Sequence, residues 1–177
     1  MKTITSALIC LLSLSSCSSE PKEVIVPKRS IIYEEDKLII DGTELPLPLQ
    51  MDALVDLLGE PDQQFDLYNT IQVWHNEGIF TYQDKGDSTI SSVAFEVKAQ
   101  RLEFSPRYQF TGSVKVGELE IHAGTTLAEL EEHEFKQATW AKDVKQLDKT
   151  KNYRVFVTYG LVGGEFYQVS VVTERRD

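Results

Sequence analysis

From Ile31 onward, apolar and polar residues alternate in short runs, which is the pattern expected of β-strands. Lys37–Ile40 is such a run, and the Asp41-Gly42 pair after it favours a hairpin turn because glycine accepts a positive φ. Other runs predict antiparallel strands with one face towards a core: Thr70–Trp74, Ile79–Gln83, Ser92–Val97, Ser113–Val116, Glu118–Ile121, Tyr153–Tyr159 and Glu165–Thr173.

Two segments carry apolar residues at helical spacing instead. Leu49–Leu58 has one apolar stripe, formed by Met51, Leu54, Val55 and Leu58. Gly59 suits a left-handed helix end, and Pro61 prevents the helix from continuing. Thr126 and Glu129 have the spacing of a capping box, which predicts a second short helix with Leu127 and Leu130 facing inward.

These elements predict an α+β fold: antiparallel sheet or sheets with two short helices, arranged as two tandem ββαβββ halves at about residues 31–104 and 105–177. A duplication is suggested because Ile71-x-Val73-Trp74 matches Tyr153-x-Val155-Phe156 at an offset of 82. The two Gly residues of the predicted hairpins, Gly42 and Gly117, differ by 75, which implies an insertion at about residues 137–151. Chance similarity between two α+β stretches is the alternative explanation.

The N-terminus predicts an export signal. Lys2 precedes an apolar stretch of 11 residues, Ile4–Leu14, which is too short for a membrane-spanning helix and fits the core of a signal peptide. The run Leu14-Ser15-Ser16-Cys17 then resembles a bacterial lipobox at all four positions. That resemblance implies cleavage before Cys17, lipidation of its sulfur and its new amine, and, because Ser18 replaces the usual retention residue Asp, transfer to the outer membrane on its periplasmic face. An ordinary secretory signal, or none, is the alternative.

The expected organisation is therefore a lipoprotein signal peptide at residues 1–16, a lipidated cysteine and tether at 17–30, and one folded domain at 31–177. Within that domain, Leu57-Leu58-Gly59-x-Pro61 followed by strands is similar to small outer-membrane lipoproteins of the SmpA/BamE type. The resemblance implies shared architecture over about a third of the chain. It transfers no binding residue to this sequence.

Charge excludes one class of partner and suggests another. The chain has 28 acidic and 18 basic residues, for a net charge of −10, so phosphate backbones repel it and nucleic acid is not expected as a ligand. Its acidic stretch, residues 118–134, has no Lys or Arg. We predict that a protein partner with a basic surface docks there, on Glu118, Glu120, Glu129, Glu131 and Glu132. A simply solvated acidic face, or a divalent-ion site with His122 and His133, is the alternative.

Trp74, beside His75-Asn76-Glu77, is a further candidate for partner binding, with a place in the core as the alternative. Catalytic equipment is sparse. There are 2 Cys, of which Cys10 leaves with the signal peptide and Cys17 carries lipid, and only 3 His. No G-x-S-x-G motif occurs. We therefore expect no enzyme activity, no cofactor and no metal.

The sequence thus predicts a lipid-anchored periplasmic lipoprotein that binds an envelope protein without catalysis. The alternative is an immunity or inhibitor lipoprotein that neutralises a basic periplasmic toxin or cell-wall hydrolase. A small hydrolase or metal-binding enzyme is the third class.

Overall fold

The computed structural model describes residues 26–100, 102–150, 153–160 and 164–174. The signal peptide, the lipobox and Cys17 lie outside these residues, so their assignment stays a prediction. The described part of the chain contains thirteen strands and two short helices, and the strands form two sheets. No helix in that part is long and apolar enough to cross a bilayer.

The first eight elements along the chain are seven strands and one helix. They are β1 (Ser30–Tyr33), β2 (Lys37–Ile40), β3 (Thr43–Pro46), α1 (Met51–Leu58), β4 (Gln63–Asp66), β5 (Thr70–Trp74), β6 (Ile79–Gln83) and β7 (Ser92–Glu96). The remaining elements are β8 (Ser113–Val116), β9 (Leu119–Ile121), α2 (Leu127–Glu132), β10 (Lys136–Gln137), β11 (Val144–Thr150), β12 (Tyr153–Tyr159) and β13 (Phe166–Val172).

The smaller sheet has five strands in the order β3-β2-β1-β8-β9, and its β1–β8 pair is parallel, with Ile31 opposite Val114. The larger sheet has eight strands in the order β10-β11-β12-β13-β7-β6-β5-β4, and all of its pairs are antiparallel. At its centre, Phe95 of β7 lies opposite Val169 of β13. The order hairpin, helix, four-stranded meander therefore occurs twice, as β2–β3, α1, β4–β7 and as β8–β9, α2, β10–β13.

One hydrophobic core lies between the two sheets. Side chains alternate between the two faces of a strand, so Val93 and Phe95 of β7 belong to this core while Ala94 lies on the opposite face of the larger sheet. Both helices contribute to it, through Leu54 and Leu130, which are completely buried. The arrangement is a β-sandwich-like fold with the helices packed at its margins.

The predicted α+β class is therefore wrong. The two helices have only 8 and 6 residues, and every other regular element among the described residues is a strand. The predicted ββαβββ order is also wrong, because four strands follow each helix. Strands that the apolar pattern did not reveal account for the difference: β1, β4, β10 and β11. Of these, β4 and β10 are mostly polar edge strands with a single neighbour each.

The sequence match at an offset of 82 aligns β5 with β12, although these strands have different positions in the larger sheet. Counted outward from the central β7–β13 pair, β5 and β11 are each third, and β6 and β12 are each second. The segment interpreted as an insertion contains β11, a strand of seven residues. The match therefore gives no support to a duplication. Other expectations are confirmed at their predicted bounds: β2, β5, β6, β8 and β12.

Candidate functional site

The acidic stretch includes the turn and second strand of the β8–β9 hairpin and the helix α2. Its predicted docking residues are all exposed. Glu118 and Glu120 belong to the hairpin, while Glu129, Glu131 and Glu132 belong to the helix. Exposure alone does not place them on one surface, because each carboxylate has its own neighbours.

Glu129 belongs to the predicted capping box, which is confirmed. The backbone N–H of Thr126 donates to Glu129 Oε2 at 2.7 Å, and the Thr126 hydroxyl lies 2.8 Å from the same oxygen. In return, the Glu129 N–H donates to Thr126 Oγ1. These donors lower the pKa of Glu129 because they stabilise its charged form. Glu129 therefore fixes the start of α2.

Two other glutamates hold α2 and its C-terminal end against β11. Glu131 Oε1 lies 2.5 Å from Lys145 Nζ, and Glu134 forms a close ion pair with Lys149. Lys149 lowers the pKa of Glu134 through its hydrogen bond and its positive charge. Their charges are partly balanced within the protein, so Glu131 and Glu134 offer less attraction to a basic partner than the sequence alone suggested.

Two predicted docking residues do come together. Glu118 and Glu132 line one groove of about 300 Å³ between the β8–β9 turn and the end of α2. We call this surface the acidic groove; its other polar or aromatic lining residues are His133, Glu134, Phe135, Lys149 and Tyr153. Tyr153 is stacked on Tyr33 at 4.9 Å, which fixes one wall. Glu120, Glu129 and Glu131 are not part of this lining.

The histidines of the acidic stretch have local roles. His122 Nδ1 accepts a hydrogen bond from the Gly124 N–H at 3.0 Å, and His133 forms the C-terminal cap of α2. Among the described residues, no group of three or more His, Cys, Asp or Glu side chains is arranged to hold a metal ion.

Trp74, a candidate for partner binding, has the place in the core that was the alternative for this residue. Its side chain is only 2% exposed, and its indole Nε1 donates to the carbonyl oxygen of Gly59 at 2.8 Å. Trp74 therefore ties the end of α1 to β5 and belongs to the hydrophobic core.

A second groove, which the sequence did not suggest, lies on the face of the larger sheet that points away from the core. We call it the sheet-face groove. Its apolar sides are Leu102, Trp140, Val144 and Phe156, and its polar residues are Tyr82, Ser92, Gln100, Thr158, Gln168 and Ser170. Trp140 is 65% exposed and makes an edge contact with Phe156, with ring centroids 5.7 Å apart. Trp140 was missed because it lies in the segment interpreted as an insertion.

Residues 98–100 and 102–105 lie along this face, and two of them, Gln100 and Leu102, line the groove. Phe104 packs against Phe80 with ring centroids 5.5 Å apart, and Ser105 Oγ donates to Glu96 Oε2 at 2.8 Å. Gln100 Nε2 donates to Gln168 Oε1 at 3.1 Å, so these residues also reach the floor of the groove. The contacts join residues far apart in sequence, which explains why no local pattern predicted them.

Comparison with protein families gives one match. Residues 30–131 match DUF7738, described as a domain of unknown function. The matched segment runs from β1 into α2 and covers more than half of the 177 residues. No curated protein and no solved structure matches the chain.

Proposed function

Because this chain belongs to the DUF7738 family, a domain of unknown function, we propose its role from its own surface chemistry. The role is that of a lipid-anchored binding protein, without catalysis, that holds a basic protein partner in the cell envelope. The observation that carries the proposal is the acidic groove, where Glu118 and Glu132 lie together on an exposed surface.

The charge of the groove favours a cationic partner. Three carboxylates line it, and its Lys149 is already paired with Glu134. The whole chain adds to this field with a net charge of −10. Removal of residues 1–16, whose only charged side chain is Lys2, changes the net charge from −10 to −11. A field of one sign raises the association rate of an oppositely charged protein and disfavours acidic competitors.

The anchor supplies the second part of the proposal. Lipid on Cys17 would hold the domain at the periplasmic face of the outer membrane, since each buried acyl CH₂ contributes about 0.8 kcal/mol and several chains make the attachment stable. Confinement near the membrane raises the effective concentration for partners in the same compartment. The envelope is therefore where we place the partner.

Cross-linking in intact cells, with charge reversal in the groove, tests the proposal. The double variant Glu118→Lys, Glu132→Lys should recover about tenfold less partner than the wild type, because each change puts like charges together. The matched control is Asp52→Lys, Asp56→Lys, which makes the same change in net charge at exposed positions of α1. It should bind normally.

If both double variants recover equally reduced amounts of partner, or if neither recovers less than the wild type, the groove is not the docking surface. The recovered protein also separates the two roles considered: a component of envelope assembly, or a basic toxin or cell-wall hydrolase. Wild-type recovery should fall as salt rises, since exposed charges are screened within about 10 Å at 0.1 M.

A further inference from the structure

We propose that the sheet-face groove binds an uncharged, hydroxyl-rich ring ligand, namely a neutral oligosaccharide. This site is separate from the acidic groove. The two lie on opposite faces of the larger sheet, because β12 directs Tyr153 to one and Phe156 to the other.

The first argument is the absence of charge. Among the described residues that line the sheet-face groove none is charged, although 26% of the chain is Asp, Glu, Lys or Arg. A neutral lining offers no counter-charge to an anion or a cation, and it avoids the cost of desolvating a charged group when a neutral ligand covers it. The groove is therefore suited to an uncharged ligand.

The second argument is the exposed indole of Trp140. Its edge contact with Phe156, at an interplanar angle of 81°, supports the ring while 65% of the residue stays exposed. A pyranose ring has one face of C–H groups, and such a face packs well on an aromatic surface whose body is apolar. Leu102, 42% exposed, extends the apolar wall. These residues can bind the flat face of a sugar ring.

The third argument is the arrangement of amides and hydroxyls on the floor. Gln168 Nε2 donates to Ser170 Oγ at 2.6 Å, while Gln168 Oε1 accepts from Gln100 Nε2 at 3.1 Å. The Gln168 amide is thus held in one orientation; Thr158 lies opposite it in the β12–β13 pair, and Ser92 lines the groove further along the sheet. Fixed neutral donors and acceptors around an apolar platform are what equatorial hydroxyl groups require.

The same features disfavour other ligands. A peptide cannot add as a strand here, because β7, β13 and β12 each have neighbours on both sides. A lipid chain would cover the amides and hydroxyls without replacing their hydrogen bonds to water, which is unfavourable. The volume of about 310 Å³ is at the lower end for small-molecule sites, which suits one or two rings of a longer chain.

Isothermal titration calorimetry of the full chain tests the proposal with three neutral probes: chitotetraose, cellotetraose and maltotetraose. At least one should give saturable binding, and Trp140→Ala should weaken it about tenfold or more, since the aromatic platform is lost. The control is Tyr68→Ala, which removes an aromatic side chain that is 95% exposed and does not line the groove. It should bind as the wild type does.

A second variant keeps the test independent of Trp140. Gln100→Ala removes the amide that orients Gln168, and it should also weaken binding. In the wild type, the fluorescence of Trp140 should change on binding, whereas Trp74 is buried and should contribute little.

The proposal is overturned if none of the three neutral oligosaccharides binds, or if Trp140→Ala binds as tightly as the wild type. Tighter binding of tetragalacturonate, an anionic probe, or of an uncharged peptide would overturn it as well.

Discussion

At the scale of single residues, Glu96 has a carboxyl group buried within the fold. It lies on β7, where Ser105 covers its carboxyl group, and it is completely buried. Ser105 donates to Oε2, while Oε1 is buried without a hydrogen-bond partner. Burial raises the pKa of the Glu96 carboxyl because it disfavours the charged form, although the hydrogen bonds from Ser105 and from the Gln100 backbone act in the opposite direction.

The raised pKa predicts a pH-dependent effect of Glu96→Gln. A carboxyl whose pKa is higher in the folded state stabilises the fold fully below its unfolded pKa, about 4.3, and this contribution is lost as pH rises through the folded pKa. Glu96→Gln should therefore raise the melting temperature at pH 8 relative to the wild type and do so less at pH 4. Each kcal/mol of change in the free energy of unfolding should shift the melting temperature by about 2–4 °C.

Glu103→Gln is the matched control, because Glu103 is an exposed glutamate close in sequence to Ser105. It should change the melting temperature little at either pH. A Glu96→Gln effect that is equal at pH 4 and pH 8 would show that the carboxyl charge is not responsible.

The two tryptophans show what the residue pattern could reveal. Trp74 lies in a strand with Ile71 and Val73, and all three are buried, so the apolar character of the whole run already favoured a place in the core. Trp140 has no such context in the sequence. Its neighbours in the groove include residues of β11, β12 and β13 as well as Gln100 and Leu102, and only the sheet order brings them together.

At the scale of elements, turns and caps were predictable because their signals are local. The Asp41-Gly42 turn has φ angles of 50° and 84°, as expected for a hairpin of this type. The capping box of α2 is formed by residues three apart. The edge strands β4 and β10 were not predictable, since their pairing depends on a partner strand and their sequences, QQFD and KQ, have no apolar alternation.

The turn between β5 and β6 predicts a large difference between two glycine substitutions. Gly78 has a φ of 68°, and a Cβ there would lie 2.0 Å from the backbone nitrogen of Phe110. Gly86 has a φ of 86°, but open space surrounds its Cβ position. Gly78→Ala should cost about 3 kcal/mol or more, because backbone must move, whereas Gly86→Ala should cost about 1–2 kcal/mol from its φ alone.

Urea denaturation of the two variants measures this difference. The contact matters because the Phe110 N–H donates to the Glu96 carbonyl at 2.7 Å, and the Glu96 N–H donates to the Gly78 carbonyl at 2.9 Å. Displacing Phe110 therefore disturbs β7 as well. Equal losses of stability in Gly78→Ala and Gly86→Ala would mean that the segment around Phe110 moves aside at little cost.

At the scale of the whole molecule, the fold class depends on pairings that no local pattern contains. The parallel β1–β8 pair joins residues 30–33 to residues 113–116, and the β7–β13 pair joins the two meanders. Both pairs connect segments that are far apart in the sequence. Tyr33 then links the two sheets, since its hydroxyl donates to the Val172 carbonyl at 2.6 Å. The alternation predicted many strands correctly but could not say how they assemble.

The two grooves and the proposed anchor divide the molecule into separate surfaces. The acidic groove and the sheet-face groove use opposite faces of β12, so occupation of one leaves the other accessible. Cys17 precedes the first described residue, Val26, by nine positions, which can span at most about 32 Å. A lipid on Cys17 would therefore keep Val26, where the described domain begins, within that distance of the membrane surface.

Substitution of Cys17 tests this placement directly. Cys17→Ser should move the protein from the membrane fraction to the soluble periplasmic fraction, because the serine cannot carry the sulfur-linked lipid. The melting temperature of the folded domain should not change, since Cys17 precedes β1 by 13 residues. Cys10→Ser is the matched control: it changes a cysteine within the predicted signal peptide and should leave the protein membrane-bound. Retention of Cys17→Ser on membranes after a carbonate wash would mean that something other than this lipid holds the protein there.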